Sequence, residues 1–493
     1  MDEGDKCLPL VCLQETQTCK KPPEIYLVIR DCYYKMAPQE IVSFRRIAQH
    51  VSDTAPPSNA DFAYARVYQR DQHPVSRKQI SNNTLKVMKQ LRDAGFRAYL
   101  VGGAVRDMIL GKHPKDFDVA TDATPEQIRK IFRNSRIIGR RFRIIHVHFG
   151  REIIEVTTFR GHHKAEAGNH VSASNEQGML LRDNVYGTIE EDALRRDFTI
   201  NALYYSSEDF CVYDFTDGFN DLQNKVLRLI GDPAQRYRED PVRILRAVRF
   251  AAKLGFSLDD TTFHAIDENA PLLRNIPPAR LFDELLKLLC TGYGEQSLEQ
   301  LLEHRLLAHL ISNSERITAD PQALQLLQTA LSNSDTRVKK DMGISPTFIL
   351  AALFWPHLKQ SEAGLASNKL PPLTTRQQAA DIVLQQQSSY TSIPKRIQLG
   401  IKDIWEMQLR LQSRRGNRVL RLLQHPRFRA GYDFVLLREQ CGEQLDGLGQ
   451  WWTDLQNMDE EQQQQAVQAV AGSAAGKKPR KRPARKRKPP TPA

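Results

Sequence analysis

The chain has 493 residues, 41% of them apolar, and a formal net charge of +12. That length allows two to four domains with sizeable cores, and that apolar content excludes a globally disordered chain. No apolar run approaches the roughly 18 residues that a membrane span needs, and the acidic start MDEGD makes the CLPLVCL behind it a poor secretory signal.

Residues 1–72 are irregular, with a Pro/Ser/Asn break at TAPPSNAD, and are expected to form a poorly ordered N-terminal extension. Four of the seven cysteines (Cys7, Cys12, Cys19 and Cys32) fall there, at spacings that match no zinc pattern. Reduced thiols in a cytoplasmic protein are the better reading. Regular structure is expected from SNNTLKVMKQLRDAGF, where Leu85, Met88 and Leu91 recur at helical spacing. Ser81 or Asn82 can cap this helix, and Gly95 stops it.

AYLV and FDVA read as strands, and TPEQIRKIF as a capped helix with Pro125 in its first turn. FRIIHVHF and EIIEVTTF read as two strands joined by Gly150-Arg151. The stretch GHHKAEAGNHVSASNEQG lacks periodicity and reads as a loop, its histidines His162, His163 and His170 exposed rather than metal-bound. CVYDFTDGFNDLQNKVLRLI suggests two strands around a glycine turn. The pattern to about residue 215 is that of a small α/β or α+β domain. Amphipathic helices follow from PAQRYREDPVRILRAVRFAAKLGF to about Leu455, and EEQQQQAVQAVAGSAAG reads as a low-complexity linker. The chain ends in KKPRKRPARKRK, a block of nine basic residues that leaves only +3 for everything else. Such a block reads as a disordered arm, either a solubilising tail or, the favoured reading, a contact for a phosphate backbone.

Two aspartates one residue apart, Asp116 and Asp118, pose the chemical question. In a strand, residues i and i+2 share a face, so the two carboxylates would stand side by side. An exposed turn is the ordinary explanation. Against it stand the strand-like neighbours Phe117, Val119 and Ala120, the Gly102-Gly103 pair upstream, and a third carboxylate, Glu155, in an apolar strand. Hard oxygen ligands so arranged suit magnesium or manganese, and the glycine pair lets backbone N–H groups approach phosphate. No GxxxxGK[ST] motif is present, so an ordinary P-loop is excluded as the phosphate device.

The ordered set LVGGAVRDMILGKHPKDFDVAT resembles the head-domain signature of the nucleotidyltransferases that include bacterial poly(A) polymerases and eubacterial tRNA CCA-adding enzymes. The resemblance implies an α+β architecture: a small palm-type sheet domain, then an all-α neck and body, then a disordered basic tail. It implies that Asp116 and Asp118 hold the catalytic metals and that Glu155 or Asp197 completes the acidic site. Gly102, Gly103, Arg106 and Asp107 would lie at the nucleotide. RRDFTINAL resembles the family motif whose Arg and Asn contact triphosphate and ribose, which assigns Arg195, Arg196 and Asn201 to the nucleotide. There Asp197 is either a further active-site acid or the group that orients the arginines. REDPVRILRAVRF resembles the family's nucleotide-recognition helix. On one helix, Asp240 and Arg243 would be neighbours able to read a base edge, with Arg246 reaching phosphate.

Within the family, GRRF and the C-terminal segments look like poly(A) polymerase rather than the CCA-adding enzymes. The implied reaction is template-independent transfer of AMP from ATP to RNA 3′ ends, with RNA-decay machinery as a possible downstream partner. CCA addition is the nearest rival, and a non-catalytic RNA-binding protein is a rival of another class. Arg140, Arg141, Arg414, Arg415 and the tail residues Lys477, Lys478, Arg480, Lys481, Arg482, Arg485, Lys486, Arg487 and Lys488 are the expected RNA contacts. The expected domains are 1–72, 73–215 (head), 216–290 (neck), 291–457 (helical body) and 458–493 (linker and tail).

Overall fold

In a computed structural model of the chain, the described residues are 13–15, 25–29, 32–35, 65–139, 143–161, 172–174, 180–183, 185–414, 416 and 418–472. They fall into two compact units, Met1–Ala65 and Arg66–Ala493. In the first, β1 (Leu13–Glu15), β2 (Ile25–Ile29) and β3 (Cys32–Lys35) pair antiparallel in chain order, so the stretch expected to be irregular contains a small sheet. The second unit also begins inside that stretch, with β4 (Arg66–Tyr68).

The second unit runs through α1 (Asn82–Asp93), β5 (Ala98–Val101), α2 (Gly103–Ile109), β6 (Asp118–Thr121), α3 (Pro125–Ile131), β7 (Ser135–Ile138), β8 (Ile144–Phe149) and β9 (Glu152–Thr158). The short strands β10 (Ser172–Ser174) and β11 (Leu180–Asp183) pair with each other. Then come α4 (Ile189–Arg195), β12 (Leu203–Tyr205) and β13 (Val212–Asp214). Eight strands form one sheet in the order β4-β13-β12-β5-β6-β9-β8-β7. Only β6 and β9 pair in parallel within it; the other neighbours are antiparallel.

Local chemistry explains the elements. Ser81 caps α1, its hydroxyl accepting from Thr84 N–H at 3.1 Å. Thr124 and Gln127 close a capping box around Pro125 at the start of α3. One face of the sheet presents Leu100, Val119, Val156 and Ile145 to Val87, Met88 and Leu91 of α1 and Ile128 of α3 in a dry core. The opposite face carries the polar row described below. Because strand alternation has a period of two, this burial fixes the register on both faces.

Beyond β13 the expected strand–turn–strand is a strand, a helix and a strand: α5 (Gly218–Asn224) lies between β13 and β14 (Val226–Leu227). Asp214 makes the difference. Its carboxylate accepts the N–H groups of Thr216, Gly218 and Phe219 at 2.9–3.0 Å and so starts a helix where a turn was expected. The chain continues through α6 (Pro233–Glu239), α7 (Val242–Leu254), β15 (Ser257–Leu258), α8 (Asp260–Asn269) and α9 (Pro278–Leu289).

Helices then continue to residue 472. Two fully buried tryptophans anchor this body. Trp405 donates its indole N–H to Ala351 O at 3.1 Å, and Trp452 donates to Leu411 O at 3.0 Å. The linker expected to be disordered is helical over Glu460–Gly472. Asp459 accepts from Gln462 N–H at 2.8 Å at its start, and Glu, Gln and Ala are good helix formers. No described helix is long and apolar enough to cross a membrane.

Candidate active site

Asp118 opens β6 and pairs across to Glu155 on β9, while Val101 of β5 flanks it on the other side. Asp116 precedes the strand and is exposed, with Phe117 between them turned into the core. The pair expected within one strand is divided, Asp116 before β6 and Asp118 opening it, and the parallel register of β6 and β9 sets Glu155 beside Asp118. Burial, the Glu155 charge and the Asp116 charge push the Asp118 carboxyl up to about 6, with Arg196 pulling it the other way.

Crowded acids of this kind fit a divalent cation, which removes the repulsion that raises the pKa. Among the described residues, no three His, Cys, Asp or Glu side chains converge closely enough to enclose an ion.

Gly102 makes the turn from β5 into α2 with φ +77° and ψ −137°, a conformation that favours glycine. A Cβ at this position would lie 3.8 Å from both Arg196 Nη1 and Asp118 Oδ2. Backbone, guanidinium and carboxylate thus meet at one point. Arg196 is held there by three hydrogen bonds: Nη2 and Nε donate to Asp192 Oδ2 at 2.9 and 3.2 Å, and Nε donates to Tyr204 Oη at 2.9 Å; Tyr204 Oη in turn donates to Asp192 Oδ2 at 2.6 Å. Burial opposes the charge of Arg196, but Tyr204 and Asp192 outweigh it and raise its pKa.

Several residues expected at the nucleotide have partners within the protein. Arg106 is 2% exposed; it donates to Asp107 Oδ1 at 2.8 Å and to Asn201 Oδ1 at 2.7 Å. Asn201 is itself buried and passes the contact on, donating to Asp197 Oδ1 at 3.3 Å. Asp197 forms an ion pair with Arg246. Its carboxylate accepts from Arg246 Nε at 2.7 Å and from Phe198 N–H at 2.9 Å. Burial alone would raise its pKa, but Arg246 and these hydrogen bonds bring it down to about 2. Of the two candidate third acids, Glu155 is the one in register with Asp118, and Asp197 is the one paired with an arginine. Arg246, expected at phosphate, is committed to Asp197 and lies over the Phe250 ring at 5.2 Å.

The recognition helix also differs from expectation. Asp240 and Arg243 do not share a continuous helix: α6 ends at Glu239, Asp240 is extended with φ −149°, and α7 starts at Val242 after Pro241. Proline disfavours helix in the residue before it, which accounts for the break. Arg280 of α9 grips both oxygens of Asp240 at 2.9 and 2.8 Å. Arg243 donates to Glu239 Oε2 at 3.1 Å and to Arg236 O at 2.8 Å. Arg236 in turn donates to the carbonyls of Arg195 and Arg196 at 2.7 and 2.6 Å, binding the two motifs into one wall. Arg195 donates to Gly161 O, and burial together with Arg160 and Arg236 lowers its pKa to about 10.

Sequence reasoning missed Asp192, Tyr204, Arg236, Glu239 and Arg280. The four-residue spacing of Asp192 and Arg196 was a readable signal; Arg280 gave none. Of the expected RNA contacts, Arg140, Arg141, Arg415 and the tail residues 477–488 lie outside the described residues. Arg414 donates to the carbonyls of Leu445 and Asp446, at 3.4 and 2.6 Å, and so ties body segments together.

A mixed sheet with an Asp-x-Asp strand, a third acid in parallel register, a glycine turn and a clamped arginine defines a nucleotidyltransferase head, here followed by a helical body. Residues 98–228 match the poly A polymerase head domain. Residues 255–316 match the probable RNA and SrmB-binding site of polymerase A, and 368–488 match the polymerase A arginine-rich C-terminus. Poly(A) polymerase I of Escherichia coli O6:H1 is 49% identical over 415 residues, covering 81% of this chain and 88% of its own. The CCA-adding enzyme of Lactobacillus helveticus is 38% identical over 224 residues, 45% of this chain and 53% of its own. In fold, a solved tRNA-processing enzyme (apo form I) matches with a TM-score of 0.55 at 23% identity, over 79% of this chain and 98% of its own. The chain belongs to the bacterial poly(A) polymerase family.

Proposed function

We propose that the chain is a polynucleotide adenylyltransferase: without a template, it transfers AMP from ATP to the 3′-hydroxyl of RNA and releases pyrophosphate. The observation that carries this reading is the likeness to poly(A) polymerase I across both head and helical body, where the likeness to a CCA-adding enzyme spans under half of the chain. Asp116, Asp118 and Glu155 would hold magnesium or manganese. When bound, such ions lower the pKa of the attacking hydroxyl and offset charge on the leaving pyrophosphate.

The chain's own residues supply the rest. Arg196, fixed by Asp192 and Tyr204, presents Nη1 beside Gly102, where a triphosphate can meet both guanidinium and backbone. Arg195 adds positive charge from the same wall. Asp240, held by Arg280, and Arg243, held by Glu239, offer a fixed acceptor and donor to an adenine edge. Arg106, Asn201, Asp197 and Arg246 form the frame behind them. Fixed donors cost no reorganisation as charge develops, which is why so many of these hydrogen bonds serve only to position others.

The three free cysteines among the described residues, Cys211, Cys290 and Cys441, agree with a reducing compartment. We place the reaction in the cytoplasm, and a single-stranded adenosine tail would there give 3′ decay enzymes an unpaired end to engage. Incubation with RNA and each nucleoside triphosphate alone tests the activity. Long ladders with ATP only are expected; CTP incorporation limited to two residues on tRNA would establish CCA addition instead.

A further inference from the structure

The polar row on the sheet does not stop at Glu155. Asp118 is in register with Glu155 between β6 and β9, Glu155 with His146 between β9 and β8, and His146 with Arg136 between β8 and β7. His146 flanks Glu155 on the side away from Asp118, and its Nε2 lies 3.3 Å from Glu155 Oε1. On the other face of these strands, Val119, Val156 and Ile145 are at most 1% exposed, so the core locks the register that brings the three polar groups into line.

The Glu155 side chain is 45% exposed, and an untethered glutamate so placed samples several rotamers that carry its carboxylate away from Asp118. His146 is the one described side chain that engages it. The approach is to Oε1. Carboxylates that ligate metals are commonly oriented by such neighbours, whose loss costs roughly tenfold or more in metal affinity.

We propose that His146 is a positioning residue: by engaging Oε1, it holds Glu155 in the orientation in which its carboxylate joins Asp118 in binding a divalent cation. This rests on the metal-dependent reading of the site. The test is manganese binding to the full-length, nucleotide-free protein, followed by electron paramagnetic resonance, with melting temperature as a check on folding. His146→Ala is expected to weaken binding about tenfold, and His146→Gln, whose amide N–H can reach the same oxygen, to recover most of that. In a Glu155→Gln background, His146→Ala is expected to add nothing. Wild-type affinity in His146→Ala, or an equal loss in both backgrounds, would overturn the proposal. Asp118→Asn is the separate control. If it binds manganese as the wild type does, the metal reading itself is wrong, whatever His146 shows.

Discussion

Asp118 carries an unfavourable charge in the protein that has no metal bound. Its carboxyl titrates near 6 in the fold, because of burial and the Glu155 and Asp116 charges, and near 3.8 when unfolded. Between those values the folded state holds the extra proton, so stability falls as pH rises through that window and stays lowered above it. In the presence of a chelator, Asp118→Asn should therefore melt higher than the wild type at pH 8. The gap should narrow as pH falls from 6 to 4 and vanish below, which scanning calorimetry across that range would read. Asp197 has the opposite sign. Arg246 holds its folded pKa near 2, so its stabilising contribution is present above about 4 and is lost as pH falls toward 2. Gly102 makes the sharper claim about the site. A side chain at φ +77° and ψ −137° costs about 1–3 kcal/mol. The strain would also move the backbone against Arg196 Nη1 and Asp118 Oδ2, each 3.8 Å from the new Cβ. Gly102→Ala should lower both the melting temperature and kcat/KM for ATP. A variant with wild-type kinetics would show that phosphate does not approach this turn.

Between elements, the site depends on pairs that no local pattern announces. The alternation of Asp118 with Val119, and of Ile154 with Glu155, is a property of single strands and could be read directly. That β6 lies beside β9, and in parallel, is a property of the whole sheet. The sequence therefore left Glu155 and Asp197 as rivals, and only the sheet shows that Glu155 is the one in register with Asp118. The Asp197–Arg246 and Asp240–Arg280 pairs join residues 49 and 40 positions apart, beyond any helical or strand period. Pro241 was legible as a helix breaker, yet the flanking amphipathic pattern suggested one continuous helix. The link between α4 and β12 through Asp192, Tyr204 and Arg196 gives an element-scale test. Tyr204→Phe keeps the packing and removes one hydroxyl that both accepts from Arg196 and donates to Asp192. A hydrogen bond to a charged group contributes about 1.5 kcal/mol, so kcat/KM for ATP should fall about tenfold, chiefly through KM, with RNA affinity unchanged. An equal loss in RNA binding would mean that the hydroxyl supports the fold rather than the nucleotide wall.

Across the whole molecule, charge is divided between a nearly balanced body and a basic end. Nine of the excess positive charges lie in residues 477–488, outside the described structure, and the remaining chain carries +3. Most basic groups around the site are committed internally: Arg106 to Asp107 and Asn201, Arg246 to Asp197, Arg243 to Glu239 and Arg280 to Asp240. A polymerase that accepts RNA of any sequence needs an attraction that ignores bases, and phosphate neutralisation by a basic arm supplies one. Each phosphate contact on a single strand adds about 0.7 to the slope of log K against log salt, so nine contacts would add at most about 6. Removal of residues 477–493 should weaken RNA binding most at low salt and flatten that slope by several units. Because the tail carries none of the groups that surround Asp118, kcat at saturating RNA should stay close to the full-length value. Binding titrations at several salt concentrations, paired with turnover at saturating RNA, separate the two effects. An unchanged slope would assign the tail another partner, and a collapse in kcat would mean that it reaches the site itself.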